Sequence, residues 1–310
     1  MKRIALLVSM LMFLILLSAC GDGSVYKDAA AALGNGNYSE SIELLNTIPN
    51  YDDKDGIRQL AEEAIAFQEA EAAFNDAVNA AETLNISIDD AISTGQGLLD
   101  SDGIPFDDST QNDLQVAVSA LREMKKSISD MPTELSSIKE ETDRLNAAVN
   151  FSNQLEDLIS AQEAFEYSVK VMTQITNPTG DFIVLRLSEI ETIGDIFGAT
   201  EDKDPNGLLN KQGGYTSATF FSSEHIDQST VYSDLTYTKA TLGGGCVETF
   251  ATTDGAIRRD EYLATLDGSG YSSGSHIILG TIVIRTSNYL TASQQNELTE
   301  QIKAKLIELR

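Results

Sequence analysis

Cysteine, histidine and tryptophan are scarce in this sequence. Its 310 residues include two cysteines, two histidines and no tryptophan. At most one disulfide is possible, so buried apolar cores have to hold the chain together. A zinc site is not indicated either, because zinc needs a full set of ligands at a characteristic spacing. Apolar residues make up 42% of the chain, which is enough for such cores, and the length predicts two domains.

Basic residues are scarce as well. Lys and Arg together number 21 against 48 Asp and Glu, which gives a formal net charge of −27. A surface of this charge repels polyanions, so it excludes nucleic acid as a partner and disfavours anionic lipid head groups. The excess of carboxylates suits a protein that faces solvent or attracts cations.

A long apolar run occurs only at the N-terminus. The chain starts Met1-Lys2-Arg3, continues with a mostly apolar segment from Ile4 to Leu17, and reaches Ser18-Ala19 before Cys20. These are the basic, apolar and small-residue parts of an export signal, in the expected order. A helix that spans a bilayer needs about 20 apolar residues, so this run is too short to be one.

The end of this segment carries a lipidation signal. Leu17-Ser18-Ala19-Cys20 resembles the lipobox of bacterial lipoproteins. The resemblance implies that residues 1–19 are a signal peptide, that Cys20 receives a diacylglyceryl group, and that the bond before it is cut. The mature chain would be lipid-anchored to the extracytoplasmic face of the cell membrane, and Cys246 would have no disulfide partner. The alternative is an ordinary secretory signal in which Cys20 is incidental.

Two short helices are predicted after a lipidated tether at 20–24. They lie on either side of Gly34-Asn35-Gly36-Asn37, and Pro49 ends the second. The hairpin resembles one degenerate tetratricopeptide-type repeat at Tyr26, Ala30, Tyr38, Ile42, Leu45 and Pro49. Stacked repeats of that family bind peptides. A single copy cannot bury both of its faces, so we expect it to pack as a cap on the next helix.

From Ile57 to Thr176 the sequence is nearly free of glycine and proline. Apolar residues recur at steps of three and four, which predicts antiparallel helices in a bundle or short coiled coil. Helix breaks are predicted at 85–87, 103–105 and 131–132, and one long helix is predicted after the last break. The pattern resembles the Ala-rich spacer repeats of Gram-positive surface proteins, which implies a spacer. This helical domain is predicted to cover residues 25–176.

The composition changes at Asn177-Pro178-Thr179-Gly180, and a second domain is predicted at 181–310. Helices are predicted at 181–197, at 254–266 and after Thr291, where Gln294 completes a capping box. Strands are predicted at 216–222, 230–239, 245–252 and 277–286. The last of these is apolar on both faces and should be central. The order predicts an α+β domain with a mostly antiparallel sheet and helices on one face.

One loop of the second domain carries a metal-binding pattern. Asp202, Asp204 and Asn206 alternate ahead of Gly207, as in the first half of a D-x-[DN]-x-[DN]-G calcium loop. Side chains at this spacing on a tight turn converge on one ion, and calcium prefers oxygen ligands. The position where such loops place a bidentate glutamate is Gly213. Calcium is therefore the one candidate cofactor, and the alternative is a strong turn that binds nothing.

Cys246 and several tyrosines are the remaining candidates for chemistry. A thiol paired with His225 or His276 could be a nucleophile. Because Cys246 lies in a predicted strand, a buried structural thiol explains it better. A groove for a sugar or a peptide could be bordered by the Gly- and Ser-rich loop 268–275 together with Gly213-Gly214-Tyr215, Tyr232, Tyr237 and Tyr262. The lack of tryptophan disfavours the sugar.

These features predict a lipid-anchored extracytoplasmic lipoprotein with a non-catalytic binding or scaffolding role at the cell envelope. The second domain would bind an envelope protein or glycan, and the oligomeric state is left open. Stretches 200–215 and 280–295 resemble a recurrent exported domain of unknown function in Gram-positive lipoproteins, which implies no mechanism. One alternative is an envelope enzyme, with a polar pocket of about 300 Å³ or more in that domain. Another is a calcium-dependent surface binding module.

Overall fold

The structure is a computed structural model that describes residues 21–52, 54–233, 236–269 and 274–310. The predicted signal peptide and Cys20 lie outside these residues. The first part of the chain is helical, with α1 (Asp22–Gly34), α2 (Tyr38–Asn46), α3 (Lys54–Leu99), α4 (Ser109–Arg122), α5 (Leu135–Asn146) and α6 (Ser152–Gln174). None of the helices in the described ranges is long and apolar enough to cross a membrane.

The C-terminal part combines helices with a five-stranded antiparallel sheet. Its helices are α7 (Gly180–Leu187), α8 (Thr236–Gly243), α9 (Thr253–Ala264) and α10 (Ala292–Ile307). Its strands are β1 (Ile193–Gly198), β2 (Ser217–Ser223), β3 (Gly244–Thr249), β4 (Ser275–Leu279) and β5 (Ile282–Thr286), in the order β1-β2-β3-β5-β4. The predicted fold class, a helical region followed by an α+β domain with an antiparallel sheet, is confirmed.

Contacts within the chain divide it into two compact units. One contains the residues up to Ser93 together with Ala120–Leu155, and the other contains Thr94–Ser119 and Glu156–Arg310. The domain bounds 25–176 and 181–310 stay a prediction. Within the second unit, Ile175 is fully buried in the core beside the sheet. Helix α1 begins at Asp22, inside the segment predicted to be a tether.

The N-terminal hairpin packs on the helix that follows it. Its apolar side chains share one core with Ile57 and Ala61 of α3. The hydroxyl of Ser41 on α2 donates to the carbonyl of Ala29 on α1, with an oxygen–oxygen distance of 2.8 Å. This buried hydrogen bond fixes the two short helices against each other, because an unpaired buried hydroxyl would be costly.

Two predictions for the helical region are wrong. Helix α3 continues through the break predicted at 85–87, because the amide of Asn85 both donates to and accepts from the backbone of Lys126. The single long helix predicted after 132 is interrupted between α5 and α6. There Ala147 is extended and its carbonyl accepts from Lys126, while the Asn150 side chain accepts from the N–H of Ser152.

The sheet is covered by helices on both faces, so the prediction of helices on one face is wrong. Neighbouring residues of a strand point to opposite faces. Val247 and its face pack against α7 and α10, through side chains such as Leu187 and Ile302. Cys246 and its face pack against Leu263 of α9. The capping box that starts α10 at Thr291 is confirmed.

Three predicted elements of the C-terminal part are wrong in type or extent. The helix predicted at 181–197 ends at Leu187, and its last third is β1, which pairs with β2. No strand forms among the described residues of the segment predicted as a strand at 230–239. Thr230 ends a 3₁₀ turn that the Asp227 side chain caps by accepting from the N–H of Ser229, and Thr236 begins α8. The strand predicted at 277–286 is the hairpin β4–β5, which turns at Gly280 with a positive φ of 61°.

Candidate functional site

A cavity of about 380 Å³ opens in the C-terminal unit between the β1–β2 loop and the start of α9. We call it the tyrosine–arginine pocket. It is lined by Asn206, Leu208, Gly213, Tyr215, Phe250, Gly255, Arg258, Arg259 and Tyr262. Its volume falls in the range of small-molecule sites, about 300–1,000 Å³. The pocket brings together part of the predicted calcium loop and part of the predicted tyrosine groove.

Asp204 organises the loop that forms one wall of the pocket. Its carboxylate accepts hydrogen bonds from the N–H groups of Asn206, Leu208 and Leu209 and from the hydroxyl of Tyr215. Partial burial raises the pKa of Asp204, but these hydrogen bonds together outweigh it and hold the pKa below its usual range. The side chain therefore acts as an ionised cap that keeps the loop in one conformation.

Tyr215 closes the floor of the pocket as a neutral hydroxyl. Burial raises its pKa, and the hydrogen bond to Asp204 raises it further. Its ring meets the ring of Phe250 edge-on, with centroids 6.2 Å apart. The chain passes close beside it, since a Cβ on Gly214 would lie 1.9 Å from the carbonyl oxygen of Leu208. Only glycine fits at that position, and this fixes the wall in place.

A buried ion triad lies behind the α9 wall. Glu248 on β3 is fully buried and accepts two hydrogen bonds from Arg259, at 2.7 Å from Nε and 2.6 Å from Nη2. Arg285 on β5 donates a third from Nη1, at 2.9 Å. Burial lowers the pKa of Arg259, but its hydrogen bonds and its charge interaction with Glu248 outweigh it and raise the pKa. Arg259 is thus held rigidly at the edge of the pocket.

The residues predicted to bind calcium lie in this loop and form hydrogen bonds within it. Asp202 accepts from the hydroxyl of Thr200, and Asn206 donates from Nδ2 to the hydroxyl oxygen of Tyr215, at 3.2 Å. Both carboxylate oxygens of Asp204 are occupied by N–H and O–H donors. A calcium ion would have to displace these donors, so the geometry does not fit the ion. Within the described part of the chain, no three or more Asp, Glu, His or Cys side chains are grouped as metal ligands.

Asp204→Asn is expected to lower the free energy of unfolding without metal, by about 1–3 kcal/mol, because it removes the charge that the loop donors share. Thermal melts of the two proteins measure this difference. The folded pKa of Asp204 is lowered, so its contribution is fully present above an unfolded pKa of about 3.9. The contribution of the carboxylate is lost as the pH falls through the folded pKa. The difference in melting temperature between the wild type and Asp204→Asn should therefore become smaller at that pH.

Asp202→Asn is the matched control for this experiment. Its carboxylate is exposed and accepts from one side chain, so the melt should change little. Equal melts for Asp204→Asn and the wild type would contradict the capping role. A rise in melting temperature with millimolar calcium that the Asp204→Asn variant lacks would instead establish the predicted metal site.

Cys246 is buried in the sheet and does not line the pocket. Burial raises the pKa of its thiol well above the usual range, and the negative charge of Glu248 raises it further. Nδ1 of His276 lies 2.6 Å from Oδ1 of Asp260, and its Nε2 lies 3.3 Å from Oδ2 of Asp267. His225 lies in an exposed turn after β2. The geometry therefore fits a structural thiol rather than a Cys–His nucleophile.

The predicted tyrosine groove is assembled only in part. Gly213, Tyr215 and Tyr262 line the pocket, whereas Tyr232 is 92% exposed and does not line it. The side chain of Tyr237 and residues 270–273 of the predicted loop lie outside the described part of the chain. The sequence did not predict the pocket arginines or the buried triad, that is, Arg258, Arg259, Glu248 and Arg285. A signal for Glu248 was present, since a lone acid in a strand that is otherwise buried has to be paired.

Comparison with known proteins gives no match of any kind, neither to a family model, nor to a curated protein, nor to a solved structure.

Proposed function

We propose that this protein is a lipid-anchored, extracytoplasmic binding protein that takes a small ligand into the tyrosine–arginine pocket. The pocket itself carries the proposal: a cavity of about 380 Å³ with a floor of Tyr215 and Phe250. Its polar groups, among them Asn206 and Arg259, are hydrogen-bond donors in fixed positions. Donors and rings of this kind recognise a ligand by shape and hydrogen bonding.

The rigidity of the walls supports binding to a preformed site. Asp204 holds the loop through backbone N–H groups, and Glu248 holds Arg259 through two hydrogen bonds. A site that is already ordered loses little conformational entropy when a ligand enters. The resemblance of residues 17–20 to a lipobox supports the location at the membrane, and the membrane is the first partner that we propose.

A pocket-filling substitution tests this function. Leu208 lines the pocket, and Leu208→Trp is expected to fill it without touching the ion triad. The purified chain from residue 21 onward would be incubated with the small-molecule fraction of an envelope extract, and native mass spectrometry would detect a retained molecule. We expect the wild type to retain a ligand, released with unchanged mass, and Leu208→Trp to retain none.

Leu185→Trp is the matched control, because Leu185 is 49% exposed on α7 and does not line the pocket. It should retain the same molecule as the wild type. Retention by Leu208→Trp, or release of a chemically changed molecule, would contradict a non-catalytic pocket binder.

A further inference from the structure

The pocket reverses the charge of the surrounding protein. The whole chain carries 48 acidic against 21 basic residues. The charged side chains that line the pocket are nevertheless Arg258 and Arg259, and no carboxylate among the described residues lines it. The nearby acids Asp204 and Glu248 do not line it, and both are engaged in hydrogen bonds. A cleft lined by charge of one sign focuses the field on a ligand of the other sign.

Arg259 has one donor group left for a ligand. Its side chain is 9% exposed and uses Nε and Nη2 on Glu248. Nη1 has no hydrogen-bond partner among the described residues. The triad of Glu248, Arg259 and Arg285 has two positive charges and one negative charge, so its pairing leaves a net positive charge at the base of the pocket. A guanidinium held in this way is preorganised to bind an anion.

Arg258 adds a second, unpaired guanidinium at the rim. It forms no hydrogen bond or ion pair with any described residue, although the protein offers acids in excess. An exposed arginine without a carboxylate partner is free to close on a ligand. The first turn of α9 adds a weaker attraction, since the pocket reaches Gly255 near the N-terminus of that helix. Asp254 of the same turn is exposed and does not line the pocket.

The remaining walls suit a flat apolar body. The ring of Tyr262 lies beside the guanidinium of Arg259, with its centroid 5.6 Å from Cζ. Phe250 and Leu208 line the pocket as well. A ligand with a ring would contact these side chains while its charged group reaches the two arginines.

We infer that the pocket binds a small organic anion whose carboxylate or phosphate lies between Arg258 and Nη1 of Arg259 and whose ring-sized body packs on Tyr262. The inference rests on the proposed binding function and adds the chemical class of the ligand. Both anionic groups match the planar donors of a guanidinium. The carboxylate and the phosphate are therefore tested side by side in one experiment.

Calorimetric titrations of the chain from residue 21 onward with phenyl phosphate, benzoate and neutral benzyl alcohol test the inference. We expect phenyl phosphate or benzoate to bind about tenfold more tightly than benzyl alcohol, and its affinity to fall as ionic strength rises. Arg258→Ala should weaken that anion about tenfold, and Arg258→Lys should weaken it less. Because Arg258 is exposed, neither variant should alter the melting temperature.

Lys303→Ala on α10 is the control, since it removes one partly exposed positive charge of the same unit that does not line the pocket. It should leave the affinity for the anion unchanged. If both anions bind no better than benzyl alcohol, or if Arg258→Ala binds them like the wild type, the inference is wrong. The proposed function would still stand in that case if the wild type retains a neutral envelope molecule and Leu208→Trp does not. If Leu208→Trp still binds the anions and still retains the envelope molecule, both the inference and the proposed function are wrong.

Discussion

Cys20→Ser is expected to move the protein from the membrane fraction to the soluble fraction, or to leave it as an uncleaved precursor. The lipobox resemblance implies a diacylglyceryl group, with two acyl chains, on the Cys20 thiol, and serine has no thiol to accept it. Each buried methylene contributes about 0.8 kcal/mol, so two chains contribute on the order of 20 kcal/mol. Fractionation of cells that express each protein, followed by intact-mass measurement, checks both the location and the processing.

Cys246→Ala is the matched control for this experiment. It removes the other cysteine of the chain, which is buried in the sheet, and should leave the protein in the membrane fraction. A Cys20→Ser protein that is processed normally and still pellets with membranes would contradict the lipid anchor. An acyl-sized mass on the wild type and on Cys246→Ala, but not on Cys20→Ser, would support it.

Helices with clear ends were predictable from local sequence. The predicted helix at 254–266 is α9 (Thr253–Ala264), and the capping box at Thr291 starts α10. In both cases a hydroxyl side chain caps the first turn and apolar side chains repeat on one side. These signals act within one or two turns of helix, so no distant contact is needed to read them.

Apolar spacing did not distinguish a helix from a helix followed by a turn and a strand, where both would place the same residues in the same core. Ile183, Leu187, Ile190 and Ile193 have helical spacing, and all four are buried in the core on the α7 side of the sheet. The first two reach it from a helix, and the last two reach it from a turn and from β1. Periodicity alone does not separate these paths, because burial depends on the sheet that β1 joins.

The pocket depended on contacts between residues far apart in sequence. Glu248 meets Arg259 and Arg285, which lie 11 and 37 positions away. The lone acid was a readable signal, but its partners were not, since any of the basic residues could have supplied them. The calcium site stays a prediction for a related reason: Asp204 has the right spacing for a metal, and its hydrogen bonds to its own loop and to Tyr215 depend on contacts that the spacing alone does not reveal.

Glu248→Gln is expected to destabilise the C-terminal unit by about 3–5 kcal/mol, because it leaves two buried guanidinium groups without their anion. Arg259 and Arg285 are 9% and 10% exposed, so solvent compensates for only part of the lost charge. A loss of this size is a large part of a typical domain stability of about 5–15 kcal/mol. Urea unfolding followed by circular dichroism measures it as a shift in the midpoint.

Glu300→Gln on α10 is the control, because it removes an exposed ion pair instead of a buried one. Its carboxylate is 58% exposed and lies 3.5 Å from Lys303, so the midpoint should change little. Replacing the whole triad by apolar residues, E248L with R259M and R285M, should recover most of the lost stability, because the uncompensated charges are gone. That triple variant should no longer bind the anion, since Nη1 of Arg259 is lost. An unchanged midpoint in Glu248→Gln would mean that water reaches the two arginines and that the triad does not hold the pocket wall.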